Sequence, residues 1–213
     1  MMNKENNIFT ATAQHVLQDE IASMQNLAGA IGDDFAAACE AVMGCGGRVV
    51  FSGVGHSGHV GNKSAASMSS LCKPAYFLHA GEATHGDLGL VQADDVVILI
   101  SNSGETSEVL QILPRLEALG VTMIAVVGKT DSTLAKRCQI VLPIAAGEEA
   151  GPFKFAGSSS ALNTMALCDA LIMAVAAAQG LTEEQYLQGH PGGAVGKKLK
   201  DHIERKGNQN SIH

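Results

Sequence analysis

The sequence predicts an α/β protein: a five-stranded parallel sheet with helices on both faces, a three-layer α/β/α arrangement preceded by N-terminal helices. Three observations carry this reading. Five short runs rich in Val, Ile and Leu recur along the chain. Segments with apolar residues at three- and four-residue spacing separate them. The runs are almost continuously apolar instead of alternating, as expected of strands buried on both faces.

Taken in order, residues 8–45 carry Val16, Ile21, Met24, Leu27 and Ile31 at helical spacing, interrupted by Gly32-Asp33-Asp34 and stopped by Gly44-Cys45-Gly46-Gly47, which predicts two helices. Strands are expected at 48–52, 74–79, 95–100, 121–127 and 139–143. Helices are expected at 57–71, from the loop 101–106 to residue 119, at 132–136, and at 158–179. A short helical tail containing His190-Pro191-Gly192-Gly193 follows. One domain is expected over residues 1–206, with 207–213 as a flexible tail.

Composition excludes several classes. Apolar residues make up 46% and charged residues 16% of the 213, too apolar for a disordered chain. Aromatics are 4% and the net charge is −7, so nucleic acid is not an expected partner. An anion would have to be held by local geometry against that charge. The most apolar stretch, 161–178, contains Asn163 and Asp169 and reads as a buried or interfacial helix, so no membrane partner is expected. Cys39, Cys45, Cys72, Cys138 and Cys168 are odd in number and lack C-x-x-C spacing, which fits reduced thiols in a cytoplasmic protein. The polar N-terminus has no signal-peptide core.

In open parallel sheets, ligands bind beyond the carboxyl ends of the strands. Three loops at those ends stand out. Ser101-Asn102-Ser103-Gly104-Glu105-Thr106 packs three hydroxyls and a glycine before a helix start. Inward-turned N–H groups and the helix terminus make an anion cradle there without Lys or Arg. The plainer alternative is a helix cap with a capping box. Gly53-Val54-Gly55-His56-Ser57-Gly58-His59 fits a second wall of the cradle, or simply a tight strand-to-helix turn; it is a poor dinucleotide fingerprint. The third loop, 79–87, holds His79, Glu82, His85 and Asp87. With His56 and His59 these suggest metal binding, against hydrogen-bonded structural histidines as the commoner alternative. The expectation is no resident metal, with zinc at His56, His59, His79 and His85 as an inhibitory occupant only.

Together, the segments 53–63, 79–89, 101–108 and 190–196 resemble the bacterial arabinose-5-phosphate isomerases, which are sugar isomerase (SIS) domain proteins. The motifs are Ser-Asn-Ser-Gly-Glu-Thr-Ser-Glu, His-Gly-Asp-Leu-Gly and His-Pro-Gly-Gly. The resemblance implies the SIS fold and a cofactor-free aldose–ketose isomerase of D-arabinose 5-phosphate and D-ribulose 5-phosphate. It implies a cytoplasmic homo-oligomer, a tetramer above all, supplying 3-deoxy-D-manno-octulosonate precursors for lipopolysaccharide or capsule. It also implies a short form without the paired CBS modules that many members carry. By position it puts substrate binding on Gly55, Ser57, Ser101, Asn102, Ser103 and Thr106. Catalytic roles fall on His85, Glu108, Glu149 and His190, with His56 beside them.

The chemistry supports a division of labour. Such an isomerisation needs a base for the C2 proton, a shuttle between two oxygens and a grip on phosphate. Glu149 follows the fifth strand and is the expected base. Glu108 is expected either to orient a histidine or sugar hydroxyls, or to act only on the helix dipole. His85 and His190 suit proton relay, and His190 stands where it could complete a neighbouring subunit's site. Two departures from the family pattern stand out. His56 replaces the usual lysine, and Gly151-Pro152-Phe153-Lys154-Phe155-Ala156-Gly157 replaces a Cys-Pro-Leu-Gly-like stretch. Lys154 is a candidate for restoring the missing charge. The alternatives are another sugar-phosphate substrate, or a non-catalytic sugar-phosphate-sensing SIS module.

Overall fold

The computed structural model describes residues 7–71 and 73–210. Met1–Asn6, Cys72 and Ser211–His213 lie outside them, and with them the N-terminal leader reading, the fifth cysteine and the end of the expected tail. The elements are α1 (Ile8–Gly29), α2 (Asp33–Gly44), β1 (Val49–Gly53), α3 (Gly55–Leu71), β2 (Ala75–His79), α4 (Ala80–Ala83), β3 (Val96–Ser101), α5 (Ser107–Leu119), β4 (Thr122–Val127), α6 (Thr133–Arg137), β5 (Ile140–Pro143), α7 (Ser159–Ala178), α8 (Glu183–Gln188) and α9 (Gly193–Asn210). All five expected strands are present, paired in parallel in the order β2-β1-β3-β4-β5.

Why the strands are apolar throughout is visible in the packing. Val49 and Phe51 of β1, Ile98 and Ile100 of β3, and Ile124 and Val126 of β4 face one core, which α2, α3 and α7 cover. Val50, Val97, Leu99, Met123 and Ala125 face the opposite core, under α4 and α5. Successive strand residues point to opposite faces, so a sheet covered on both sides favours apolar residues at successive positions.

Two short elements appear in and just after the expected loop at 79–87. Ala80 and Ala83 are buried against the second core, and that burial winds 80–83 into a single helical turn. A 3-10 turn follows at Asp87–Leu90. At the C-terminus, α9 runs through the first four residues of the stretch expected to fray. α7 is long and apolar enough to cross a membrane by length and composition. Its Leu167, Cys168, Leu171, Ile172 and Val175 are instead packed into the first core.

The connection from β3 to α5 positions the site most tightly. Gly104 lies at φ +67, where a side chain strains the backbone. Its carbonyl accepts the Leu134 N–H at 3.1 Å, which draws it onto α6. A Cβ on Gly104 would stand 2.0 Å from Ser132 Oγ. Gly104→Ala is therefore expected to lower stability by about 2 kcal/mol or more from backbone strain and overlap together, measured as a lower urea midpoint with an unchanged m-value.

Candidate active site

The strand order reverses between β1 and β3, because β1 continues to β2 on one side and the chain returns through β3 on the other. A crevice opens at such a point beyond the strand ends. A pocket of about 360 Å³ occupies it here. Val54, His56, Ser57 and Val60 form one wall at the start of α3. Asn102, Ser103 and Thr106 form the second, after β3. Glu149, Phe155, Gly157 and the first turn of α7 form the third.

The β3 loop is built as a cradle. Ser101 ends the strand at 2% exposure, and its Oγ pairs with Thr106 Oγ1 at 2.7 Å and accepts the Gly104 N–H at 3.0 Å. Ser101 thus braces the loop from behind, while Asn102 and Ser103 are exposed to the pocket. The capping box, the plainer alternative, is absent. Thr106 is the N-cap of α5 but makes no side-chain cap bond. Glu105 turns away to accept the Thr133 N–H at 2.7 Å. The α5 terminus therefore stands beside the pocket wall without a cap bond from Thr106.

Glu149 is fixed opposite. Its Oε2 accepts from the Ser160 N–H at 3.1 Å and from Ser158 Oγ at 3.2 Å, and its Oε1 accepts from Ser160 Oγ. Burial pushes its pKa up, but the hydrogen bonds from Ser160 and Ser158 outweigh this and hold the carboxyl below the ordinary glutamate value of 4.5. The carboxylate form is lost only as pH falls through that lowered value. Near neutrality the group is an ionised acceptor in a set place.

His56 stands on the first turn of α3 against Gly157; a Cβ there would lie 3.6 Å from Nδ1. It lines the pocket, and no Lys or Arg does so among the described residues. Lys154 does not restore the charge. Its Nζ donates to the Glu149 carbonyl at 3.0 Å and pairs with Glu148 at 3.5 Å, on the outer side of the segment.

The structure thus brings together His56, Ser57, Asn102, Ser103, Thr106 and Glu149. Other expected residues stand elsewhere. Gly55 starts α3 at φ +56 and is not part of the pocket lining. Glu108 accepts from Ser107 Oγ at 2.8 Å; that bond, its own backbone amide and nearby His79 hold it below the usual carboxylate range. His85 is exposed after α4. His190 follows α8, its ring 4.3 Å from that of Tyr186 and its Nδ1 3.1 Å from the Tyr186 carbonyl oxygen. The preceding Gly189 lies beside the Ser70 carbonyl, at the far end of α3 from the pocket.

His56 and His59 lie on α3, whereas His79 and His85 flank α4. Among the described residues no three His, Cys, Asp or Glu side chains group to hold a metal ion. The suggested zinc occupation of those histidines thus has no ready-made ligand set. Sequence reading missed Ser158 and Ser160, which hold the carboxylate, and Phe155 at the rim. The signal for the first two was present, as three serines opening a long apolar helix.

A family profile described as SIS domain matches residues 43–174. The arabinose 5-phosphate isomerase KdsD of Pseudomonas aeruginosa is 43% identical over 204 residues, covering 95% of this chain and 63% of that protein. The arabinose 5-phosphate isomerase GutQ of Salmonella typhi is 41% identical over 197 residues, covering 91% of this chain and 61% of its own length. The chain therefore spans less than two thirds of these curated relatives. A solved structure of an E. coli CFT073 protein in complex with arabinose 5-phosphate superposes with a TM-score of 0.84 at 35% identity, covering 89% of this chain and 100% of that one. The switch-point pocket, the serine-rich cradle and these likenesses agree: the chain belongs to the SIS domain family.

Proposed function

We propose that this chain is a cofactor-independent aldose–ketose isomerase interconverting D-arabinose 5-phosphate and D-ribulose 5-phosphate. One observation carries the reading: Glu149 and the cradle of Ser57, Asn102, Ser103 and Thr106 face one another across a single pocket. The names of its relatives and the bound ligand of its solved neighbour support the choice of sugar. The hydroxyl and N–H wall grips the phosphate and fixes the open-chain sugar. The Glu149 carboxylate removes the C2 proton, giving an enediolate. A proton passes from the C2 hydroxyl to the C1 oxygen, and the proton held by Glu149 returns to C1, leaving a ketone at C2. The product supplies a precursor for 3-deoxy-D-manno-octulosonate, in the cytoplasm, where free Cys39, Cys45, Cys138 and Cys168 remain reduced.

The working form is a homo-oligomer, with a tetramer as the proposed state. Leu17, Ile21 and Met24 form an exposed apolar stripe along α1, and Met173 is exposed on α7. Such faces are normally covered by a partner. His190 favours the same reading. The 17 residues of α3 put about 25 Å between its two ends, so this chain's His190 is too far from its own pocket to act there. It suits the pocket of a neighbouring subunit.

Glu149→Gln is expected to lower kcat by about 10²–10⁴-fold with KM little changed, read as ribulose 5-phosphate formed from arabinose 5-phosphate. Full activity would remove Glu149 from the mechanism, and a wild-type protein without turnover would remove the isomerase reading. His56→Lys puts a fixed ammonium charge at the pocket wall. The variant is expected to bind the sugar phosphate more tightly than the wild type, with an affinity that falls more steeply as salt is added. Equal affinity and equal salt dependence would exclude an electrostatic role for position 56. Co-expression of Glu149→Gln and His190→Ala subunits is expected to give hybrid oligomers more active than either variant alone, because some pockets then combine both native residues. The absence of any such rescue would confine His190 to its own subunit or to no catalytic role.

A further inference from the structure

Among the residues of α1 only Ser23 and Leu27 are buried, so the helix looks like an accessory to the sheet. One stripe of it nevertheless reaches the segment that carries Glu149. Ser23 Oγ donates to the Ala146 carbonyl at 2.8 Å. Asp19 Oδ2 accepts the Gly151 N–H at 3.0 Å. Val16 closes on Gly151 so tightly that a Cβ there would stand 2.7 Å from its Cγ2. Val16, Asp19 and Ser23 recur at three- and four-residue spacing and therefore share a face.

Asn163 of α7 completes the tie. It is fully buried and donates to the Ser23 carbonyl at 3.0 Å and the Ile144 carbonyl at 3.1 Å. Its Oδ1 has no hydrogen-bond partner among the described residues, and leaving a buried acceptor unpaired is unfavourable. The amide is retained at that cost for its two donors. Between the tied points the backbone is irregular. Ala145 lies at φ 51, a conformation an alanine keeps only when its surroundings impose it. Glu149 sits between Ala146 and Gly151, and α1 holds both.

We infer that Asp19 and Ser23 are positioning residues that set the place of the Glu149 carboxylate from outside the pocket, by fixing the segment on either side of it. The inference rests on Glu149 serving as the base. Neither residue lines the pocket, and the phosphate cradle stands on other loops. Loosening the segment should therefore impair proton transfer and spare binding.

The test compares Ser23→Ala, Asp19→Ala, their double variant and Asp19→Asn, whose side-chain oxygen still accepts the Gly151 N–H. A displacement of about 1 Å at a reacting group costs up to about 10²-fold. The double variant is expected to lose about 10- to 100-fold in kcat, with KM and the affinity for inorganic phosphate within about threefold of wild type. Faster amide exchange at Glu149 and Gly151 should accompany it, and Asp19→Asn should recover most of the loss. Unchanged kcat and exchange, equal damage in Asp19→Asn and Asp19→Ala, or a parallel loss of kcat and phosphate affinity would each overturn the inference. Should the wild type show no turnover, the isomerase reading falls separately and amide exchange alone decides. Faster exchange in Asp19→Ala than in Asp19→Asn then upholds the tie to α1, and equal rates overturn it.

Discussion

An anion entering this protein meets no fixed cation. The chain carries a net charge of −7, and no Lys or Arg lines the pocket among the described residues. Attraction has to come from short-range geometry, the hydroxyls and side-chain amide that line the pocket beside the α5 terminus, groups worth more in a partly enclosed pocket than in water. Geometry of that kind tolerates little movement. The β3 loop is accordingly braced away from the pocket, with Ser101 behind it, Gly104 pressed on Ser132, and the Glu105 carboxylate on the Thr133 N–H.

The other half of the site is built differently. Glu149 does not stand on a strand or in a tight turn. It stands on a segment without regular structure whose fixed points are borrowed from α1 and α7. Its carboxylate lies at the start of α7, where Ser158 and Ser160 hold it ionised. The hydroxyl-lined loop and the Glu149 carboxylate are thus separately braced pieces that meet in the pocket. The rest of the chain is arranged to keep their separation constant. Two apolar cores clamp the sheet, and the long apolar α7 joins the first core to the Glu149 segment.

Much of this was legible in the residues. Continuous Val/Ile runs have a meaning independent of distant neighbours, because a doubly covered strand needs apolar groups on both faces. The hydroxyl-rich loop after β3 was equally plain. The short α4 was missed because its driving force, burial of Ala80 and Ala83, comes from residues remote in sequence. The capping-box alternative at 103–106 kept Glu105 within its own loop. The structure directs that carboxylate to α6, a competitor for the same side chain that no local pattern reveals.

The sequence alone determined the layered α/β architecture, the strand ends at which ligands gather, and the residue types able to hold a phosphate and move a proton. These are local properties, set by side-chain periodicity and backbone preference. Only the tertiary structure decided which of them share a pocket. It brought Glu149 to within reach of residues 56–57 and 102–106, turned Lys154 outward to Glu148, and left His190 at the other end of α3. Such choices depend on how helices and loops pack across the sheet, and that packing is a balance of contacts between segments on which no one segment's composition bears.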